Sequence, residues 1–106
     1  MLSKRQRIKS SDFKKIYTKG RSVNKSSFLK LRYLPSKHFK AAVLVPKKII
    51  KKRVLRNKQK RRILALLRSY QEKLSFAVVI TVFKDTKDLS FVDLEKELKK
   101  IMESLV

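Results

Sequence analysis

A run of cationic side chains without a single acid spans the middle of the chain, from Lys47 to Arg68. Its centre, Arg56 to Arg62, places guanidinium, ammonium and amide groups within about two helical turns. Arginine forms bidentate hydrogen bonds with phosphate, lysine adds positive charge, and asparagine offers both a donor and an acceptor. Like charges one turn apart on a helix repel each other, and no acid within the run neutralises them. The run predicts binding to an external polyanion, most simply a phosphate backbone, and the alternative is a solvated helix face.

Residues that could support catalysis by the protein itself are few. His38 is the only histidine and there is no cysteine, which excludes a histidine-based nucleophile and a His/Cys metal site. Gly20 is the only glycine, so no glycine-rich phosphate loop is present. A carboxylate-metal nuclease would need several acids to converge, and Asp93 and Glu97, one turn apart, are better explained by helix capping and solubility. We expect no catalytic and no metal-binding residue in the protein.

Two aromatic side chains, Phe13 and Tyr17, lie one turn apart next to a basic N-terminal arm at residues 1–9. Such a pair could stack unpaired bases of a nucleic acid. It could equally form the apolar side of a small helix that packs on a sheet. Spacing alone leaves both interpretations open.

Composition and charge point to the same class of partner. The chain has 106 residues, 42% of them hydrophobic, and a formal net charge of +22. This size suits a single domain over residues 1–106, and so large a positive charge favours nucleic acid over a membrane surface. Asp12 is the only acid before Tyr70, so the charge is concentrated rather than mixed. We find no membrane-spanning run and no signal sequence, and we expect a cytoplasmic, monomeric protein that binds neither membrane nor DNA.

The elements that must position these residues follow from periodicity. We predict a small sheet packed with helices, in an α+β arrangement of order α-β-β-(β)-α-β-α, with an optional short strand near residues 21–25. The two strands joined by the Pro35–His38 turn are predicted to form an antiparallel pair, and the last strand, which is apolar throughout, is predicted to be central. The predicted helices are Ser11–Lys19, Lys52–Gln71 and one that begins near Ser90, and the predicted strands are Ser27–Leu34, Lys40–Val45 and Phe76–Phe83.

The predicted helix over 52–71 has two distinct sides. Ile63, Leu66, Leu67 and Tyr70 recur at the spacing of a buried apolar stripe. At 100° per residue, a mainly basic stripe falls beside it. The members of this second stripe are Arg53, Asn57, Lys60, Arg61, Leu64 and Arg68.

The sequence resembles the protein component of bacterial ribonuclease P over nearly the whole chain. Residues 7–20 are similar to the family's opening, which has a basic segment, Asp-Phe, an aromatic residue four positions later and a glycine. The spacing Arg56-Asn57-x-x-Lys60-Arg61, preceded by Lys47-Lys48, resembles the family's Arg-Asn-Arg motif helix. Leu64 stands where that motif has a further arginine.

The resemblance implies a compact α/β sandwich with a left-handed β-α-β crossover. It implies that the protein assists an RNA catalyst in removing the 5′ leader from precursor tRNA, with active-site Mg²⁺ held mainly by RNA and substrate. It also implies that Phe13 and Tyr17 line a cleft for the single-stranded leader. The residues expected to contact the catalytic RNA are Arg56, Asn57, Lys60 and Arg61, supported by Lys47, Lys48, Arg53 and Arg68. The rival interpretation is a ribosomal or other structural RNA-binding protein, which would need no stacking cleft.

Overall fold

The computed structural model describes residues 8, 10–70, 75–86 and 88–105. The predicted basic arm at 1–9 therefore lies outside the described residues, apart from Ile8, as does the predicted helix end at Gln71. The observed order matches the prediction, and the optional strand is present. The elements are α1 (Ser10–Lys19), β1 (Arg21–Val23), β2 (Leu29–Pro35), β3 (Lys40–Leu44), α2 (Arg53–Leu67), β4 (Phe76–Val82) and α3 (Phe91–Met102), with short 3-10 turns at Arg68–Tyr70 and Glu103–Leu105.

The four strands form one mixed sheet in the order β1-β2-β4-β3. β4 is central, as its apolar sequence predicts, and it pairs antiparallel with β2 and parallel with β3. Ile80 lies between Leu31 on one side and Val43 on the other. The predicted pairing of β2 with β3 is wrong, because β4 lies between them. A strand that is apolar on both faces gains most from the middle of the sheet, and a short turn does not by itself choose the partner of a strand.

The parallel pair β3 and β4 is joined by α2, so the β-α-β crossover implied by the resemblance is present. Its left-handedness stays a prediction. α2 and α3 cover one face of the sheet and enclose the larger core, in which Leu31, Ile80 and Leu98 are almost completely buried. α1 packs on the opposite face through Ile16, which contacts a smaller cluster with Ala77 and Val79. The predicted sandwich of helices and sheet is confirmed.

Gly20 ends α1, and its backbone N–H donates a hydrogen bond to the Ile16 carbonyl oxygen at 2.9 Å. The described residues include no glycine with positive φ, so left-handed backbone does not explain this glycine. A Cβ at this position would collide with the Ile16 carbonyl and would lie 2.8 Å from the Tyr33 carbonyl oxygen. Glycine is needed here because the end of α1 passes closely over β2.

α3 begins at the predicted cap. The Ser90 hydroxyl accepts a hydrogen bond from the Asp93 backbone N–H at 3.1 Å, which satisfies one free donor of the first turn. Asp93 places a negative charge at this N-terminus, where the helix dipole favours it. Asp93 therefore stabilises the start of α3, as its place in the capping sequence predicts.

Candidate nucleic-acid interface

α2 separates its buried and solvent-exposed residues along the line that periodicity predicts. Its buried residues are Gln59, Ile63, Leu66 and Leu67. On the other side the exposed residues include Arg53, Asn57, Arg61 and Arg68, and Lys60 is half-buried at the border. Within the described part of the chain, nothing hydrogen-bonds or pairs with the side chains of Arg53, Asn57, Lys60 or Arg61. We call Arg53, Asn57, Lys60, Arg61 and Arg68 the cationic face of α2.

The first turn of α2 has no acid, and its N-cap, Lys52, makes no side-chain capping bond. Helix N-termini favour negative charge because their free N–H groups carry a partial positive charge. Lysines and an arginine at this end raise the local positive potential instead. An arrangement of this kind lowers the stability of the isolated helix and favours an anion from outside the chain.

Arg56 differs from the rest of the motif, because its guanidinium points back toward the loop before the helix. Its Nη1 donates to the Ile50 carbonyl oxygen at 3.1 Å and to the Lys51 carbonyl oxygen at 2.7 Å. The sequence predicts an RNA contact here and does not reveal this second role. No residue type in the sequence could have revealed it, since both acceptors are backbone carbonyl oxygens of the loop that precedes the helix.

Lys47 and Lys48 are exposed in a turn that follows β3. The Pro46 carbonyl oxygen accepts from the backbone N–H groups of Ile49 and Ile50, at 3.0 and 3.2 Å. Ile50 is buried, with 3% of its surface exposed. The lysine loop, which we define as residues 47–52, is thus held by a turn at its start, a buried side chain and Arg56 at its end. This anchoring keeps the loop lysines beside the N-terminus of α2.

Gln59 and Arg62 lie within the basic run, but their side chains form hydrogen bonds within the protein. Gln59 is 1% exposed and its Oε1 accepts from Arg62 Nη1 at 2.8 Å and from the fully buried Thr86 hydroxyl at 3.0 Å. Arg62 Nη2 also donates to the Leu89 carbonyl oxygen. These bonds connect α2 to the segment between β4 and α3. The position of Gln59, four residues before Ile63 on the apolar side, is the sequence signal that could have revealed it.

Phe13 and Tyr17 differ in burial, so each fits one of the two interpretations that spacing left open, packing on the sheet and stacking of a base. Phe13 is half-buried and packs against the small cluster under α1. Tyr17 is 42% exposed, so its ring remains accessible to a ligand. The structure therefore supports a packing role for Phe13 and a surface role for Tyr17.

Arg32 joins this surface, and sequence reasoning did not select it. Its guanidinium carbon lies 5.0 Å from the centre of the Tyr17 ring, and Nη2 donates to the Tyr17 carbonyl oxygen at 2.8 Å. Its Nε is buried and has no hydrogen-bond partner. The alternation of β2, which puts Lys30 and Arg32 on the same face as Leu34, was the available signal. Arg32 orients the tyrosine ring and adds positive charge to the cleft beside α1.

Among the acids of the described chain, Glu97 is engaged in contacts of α3. Glu97 accepts from the Ser26 hydroxyl at 2.8 Å and from Lys100 Nζ at 2.7 Å. The Lys100 hydrogen bond is the main reason that the pKa of Glu97 lies below its ordinary value. Burial, with Glu95 and Glu103 nearby, raises the pKa of Tyr70. No group of three or more potential metal ligands occurs among the described residues.

A mixed α+β sandwich with an exposed cationic helix face has the features of a nucleic-acid-binding protein. The family model for ribonuclease P matches residues 2–106. The ribonuclease P protein component of Mycoplasmopsis pulmonis is 33% identical over 97 residues, which cover 90% of this chain and 86% of that protein.

Solved structures agree with this match. A Staphylococcus aureus RNase P protein mutant with defective mRNA degradation activity superposes with a TM-score of 0.86 at 27% identity, covering 95% of this chain and 88% of that one. The RNase P protein from Thermotoga maritima, at 18% identity, has the same fold, with a TM-score of 0.82 and coverage of 94% and 97%. The chain belongs to the ribonuclease P protein family.

Family membership gives the chain the role of the protein subunit of a ribonuclease, whose partners are the ribonuclease P RNA and precursor tRNA. No comparison supports the rival interpretation of a ribosomal or other structural RNA-binding protein. Among the described helices, none is long and apolar enough to cross a membrane.

Proposed function

We propose that the cationic face of α2 and the lysine loop bind the ribonuclease P RNA. The observation that carries this proposal is the lack of protein partners for Arg53, Asn57, Lys60 and Arg61 on a helix whose other side is buried. Each phosphate contact releases counterions, so cations without partners in the protein contribute fully to RNA affinity. Arg56 contributes through the loop, and its remaining guanidinium donors are available for a phosphate.

The cleft beside α1 is proposed to hold the single-stranded 5′ leader of precursor tRNA. Tyr17 offers an accessible ring, and Arg32 places a positive charge against that ring. Phe13 supports the helix from below by packing on the small cluster. A base that stacks on an aromatic ring gains roughly 1–3 kcal/mol whatever its identity. This tolerance suits leaders of varied sequence.

The chemistry of cleavage is proposed to belong to the RNA, with Mg²⁺ held by RNA and substrate. The composition of this chain supports the proposal, since it has one histidine and no cysteine. The carboxylates considered for a metal site also have structural work: Asp93 lies at the N-terminus of α3, and Glu97 binds Ser26 and Lys100. The protein binds and positions the RNAs. We further propose that it acts as a monomer in the cytoplasm and does not bind DNA.

Cleavage of precursor tRNA by a bacterial ribonuclease P RNA at low Mg²⁺, with and without the protein, tests the function. Two substrates are compared, one with a long leader that can reach the cleft beside α1 and one with a single-nucleotide leader that cannot. The difference between them measures the contribution of the cleft, apart from that of the contact with the ribonuclease P RNA. We expect Tyr17→Ala to weaken binding of the long-leader substrate about fivefold or more and to leave the short one unchanged. Phe91→Ala is the matched control, because Phe91 is a 49% exposed aromatic residue on α3.

Two results would contradict parts of this proposal. An equal loss for both leader lengths in Tyr17→Ala would remove the cleft from the leader path. Tight RNA binding without any gain in cleavage at low Mg²⁺ would contradict the assisting role itself.

A further inference from the structure

A second concave surface lies at the end of the sheet where β2 ends and β4 begins, next to the C-terminal half of α1. It consists of two adjoining cavities of about 170 and 440 Å³, which share Leu34 and Pro35 as a common wall. Lys15 and Lys40 line the smaller cavity, and Lys19, Arg21, Tyr33 and Phe76 line the larger one. We call this surface the second groove.

The second groove is separate from the leader cleft. Its aromatic pair, Tyr33 and Phe76, packs against the larger core on the face of the sheet away from α1, and its lysines on α1 lie on the other side of that helix from the cleft. Ile16 points into the sheet and is fully buried. At 100° per residue, Phe13 and Tyr17 lie on one side of Ile16, while Lys15 and Lys19 lie on the other. The walls of the two cavities accordingly include neither aromatic residue of the leader cleft.

The lining of the second groove combines positive charge with aromatic rings. Lys15, Lys19 and Arg21 are exposed, and no acid is among the described residues that line either cavity. Arg21 lies directly across from Tyr33 in the β1–β2 ladder. Tyr33 and Phe76 meet edge to face, with ring centres 5.5 Å apart and planes at 89°. Both rings are half-buried, pack against the larger core and line the larger cavity.

We propose that the second groove binds a single-stranded segment of RNA. Its phosphates would lie against Lys15, Lys19 and Arg21, and an unpaired base would pack on the Tyr33–Phe76 pair. The combination favours a single strand over a duplex, because paired bases present no free face to an aromatic ring. The charge of the lining excludes a basic peptide, and the aromatic pair has no role in binding phosphate alone. This site lies beyond the leader cleft and does not depend on it.

The test uses the full-length protein and a 12-nucleotide oligouridylate that carries one photoreactive 4-thiouridine. Mass spectrometry of the cross-linked protein locates the contact, and fluorescence anisotropy over a range of salt concentrations measures affinity. We expect cross-links on Tyr33 or Phe76, and we expect them to persist in Tyr17→Ala, in which the leader cleft is impaired. The groove residues are unchanged in both proteins that are cross-linked. The result therefore does not depend on whether a variant of the groove folds.

Three variants then measure the contribution of the groove. Lys19→Ala/Arg21→Ala is expected to lower the salt slope of binding by roughly 1.4, since each phosphate contact to a single strand contributes about 0.7. Tyr33→Leu, which keeps an apolar side chain at a half-buried position, is expected to weaken binding about fivefold or more. Lys96→Ala/Lys99→Ala removes the same charge from the exposed side of α3 and is the matched control.

The proposal is overturned if the cross-links avoid both Tyr33 and Phe76. It is also overturned if the control pair on α3 lowers the salt slope as much as the groove pair does. Cross-links that disappear in Tyr17→Ala would assign the bound strand to the leader cleft and likewise refute a second groove. Failure of the leader-length experiment would leave these outcomes unaffected, so the two proposals can fail separately.

Discussion

Replacing Arg56 with alanine tests whether a motif arginine acts through the lysine loop. The change removes both bonds from Nη1 to the carbonyl oxygens of Ile50 and Lys51. Hydrogen bonds with a charged donor contribute roughly 1.5–3 kcal/mol each when buried, and less at this half-exposed position. We therefore expect the free energy of unfolding to fall by about 1–2 kcal/mol. For a domain of this size the melting temperature should drop by about 4 °C or more per kcal/mol.

The RNA-binding assay for Arg56 is a double-mutant cycle with the loop lysines. Arg56→Ala, Lys47→Ala/Lys48→Ala and the triple variant are compared for affinity to the ribonuclease P RNA. If Arg56 holds the loop, its removal should weaken binding strongly in the parent chain and much less once the loop lysines are gone. Arg56→Lys keeps the charge but loses the fork that reaches two carbonyls, so it should restore only part of the affinity.

Arg61→Ala is the matched control, because the exposed Arg61 makes no bond to the described chain. Its free energy of unfolding should stay within about 0.5 kcal/mol of that of the parent. It should also lower the salt slope of RNA binding by roughly one, as expected for one phosphate contact. The reasoning about Arg56 is refuted if Arg56→Ala destabilises the protein no more than Arg61→Ala, or if the cycle is additive. If Arg56→Lys restored the full affinity for the RNA, the positive charge of Arg56 alone would explain its contribution.

Two further predictions concern stability. Gly20→Ala should lower the free energy of unfolding in urea by about 1–3 kcal/mol, because the added Cβ meets two backbone carbonyls; a loss no larger than that of Ser22→Ala on β1 would contradict this. Glu97→Gln should destabilise the protein by about 0.5–1 kcal/mol near pH 7. Since the folded pKa of Glu97 is lowered, its contribution is present above the unfolded value near 4.5 and is lost as the pH falls through the folded pKa. Urea melts at several pH values should show that the free energies of unfolding of the variant and the parent become equal below that range. A difference between them that stays constant down to pH 2 would exclude the ion pair as the cause.

Local patterns in the sequence determined which side of a helix is buried, which strand is central and where α3 begins. The 3.6-residue period of α2 separated Ile63 from Arg61, because burial and exposure follow helix geometry whatever the helix packs against. The unbroken apolar run of β4 made it central, and Ser90 marked the start of α3 through a bond within its own first turn. The excess of positive charge, and hence the class of partner, is a property of composition.

Only the tertiary structure decided which groups these residues contact. Periodicity assigns a side chain to a face, but it does not identify the group that the side chain meets there. β4 therefore separated β2 from β3, although their short connection favoured a direct pair. Arg56 turned to two loop carbonyls, and Arg32 came to lie on Tyr17. The second groove likewise exists only because the end of α1, the turn after β2 and the start of β4 meet at one corner of the fold.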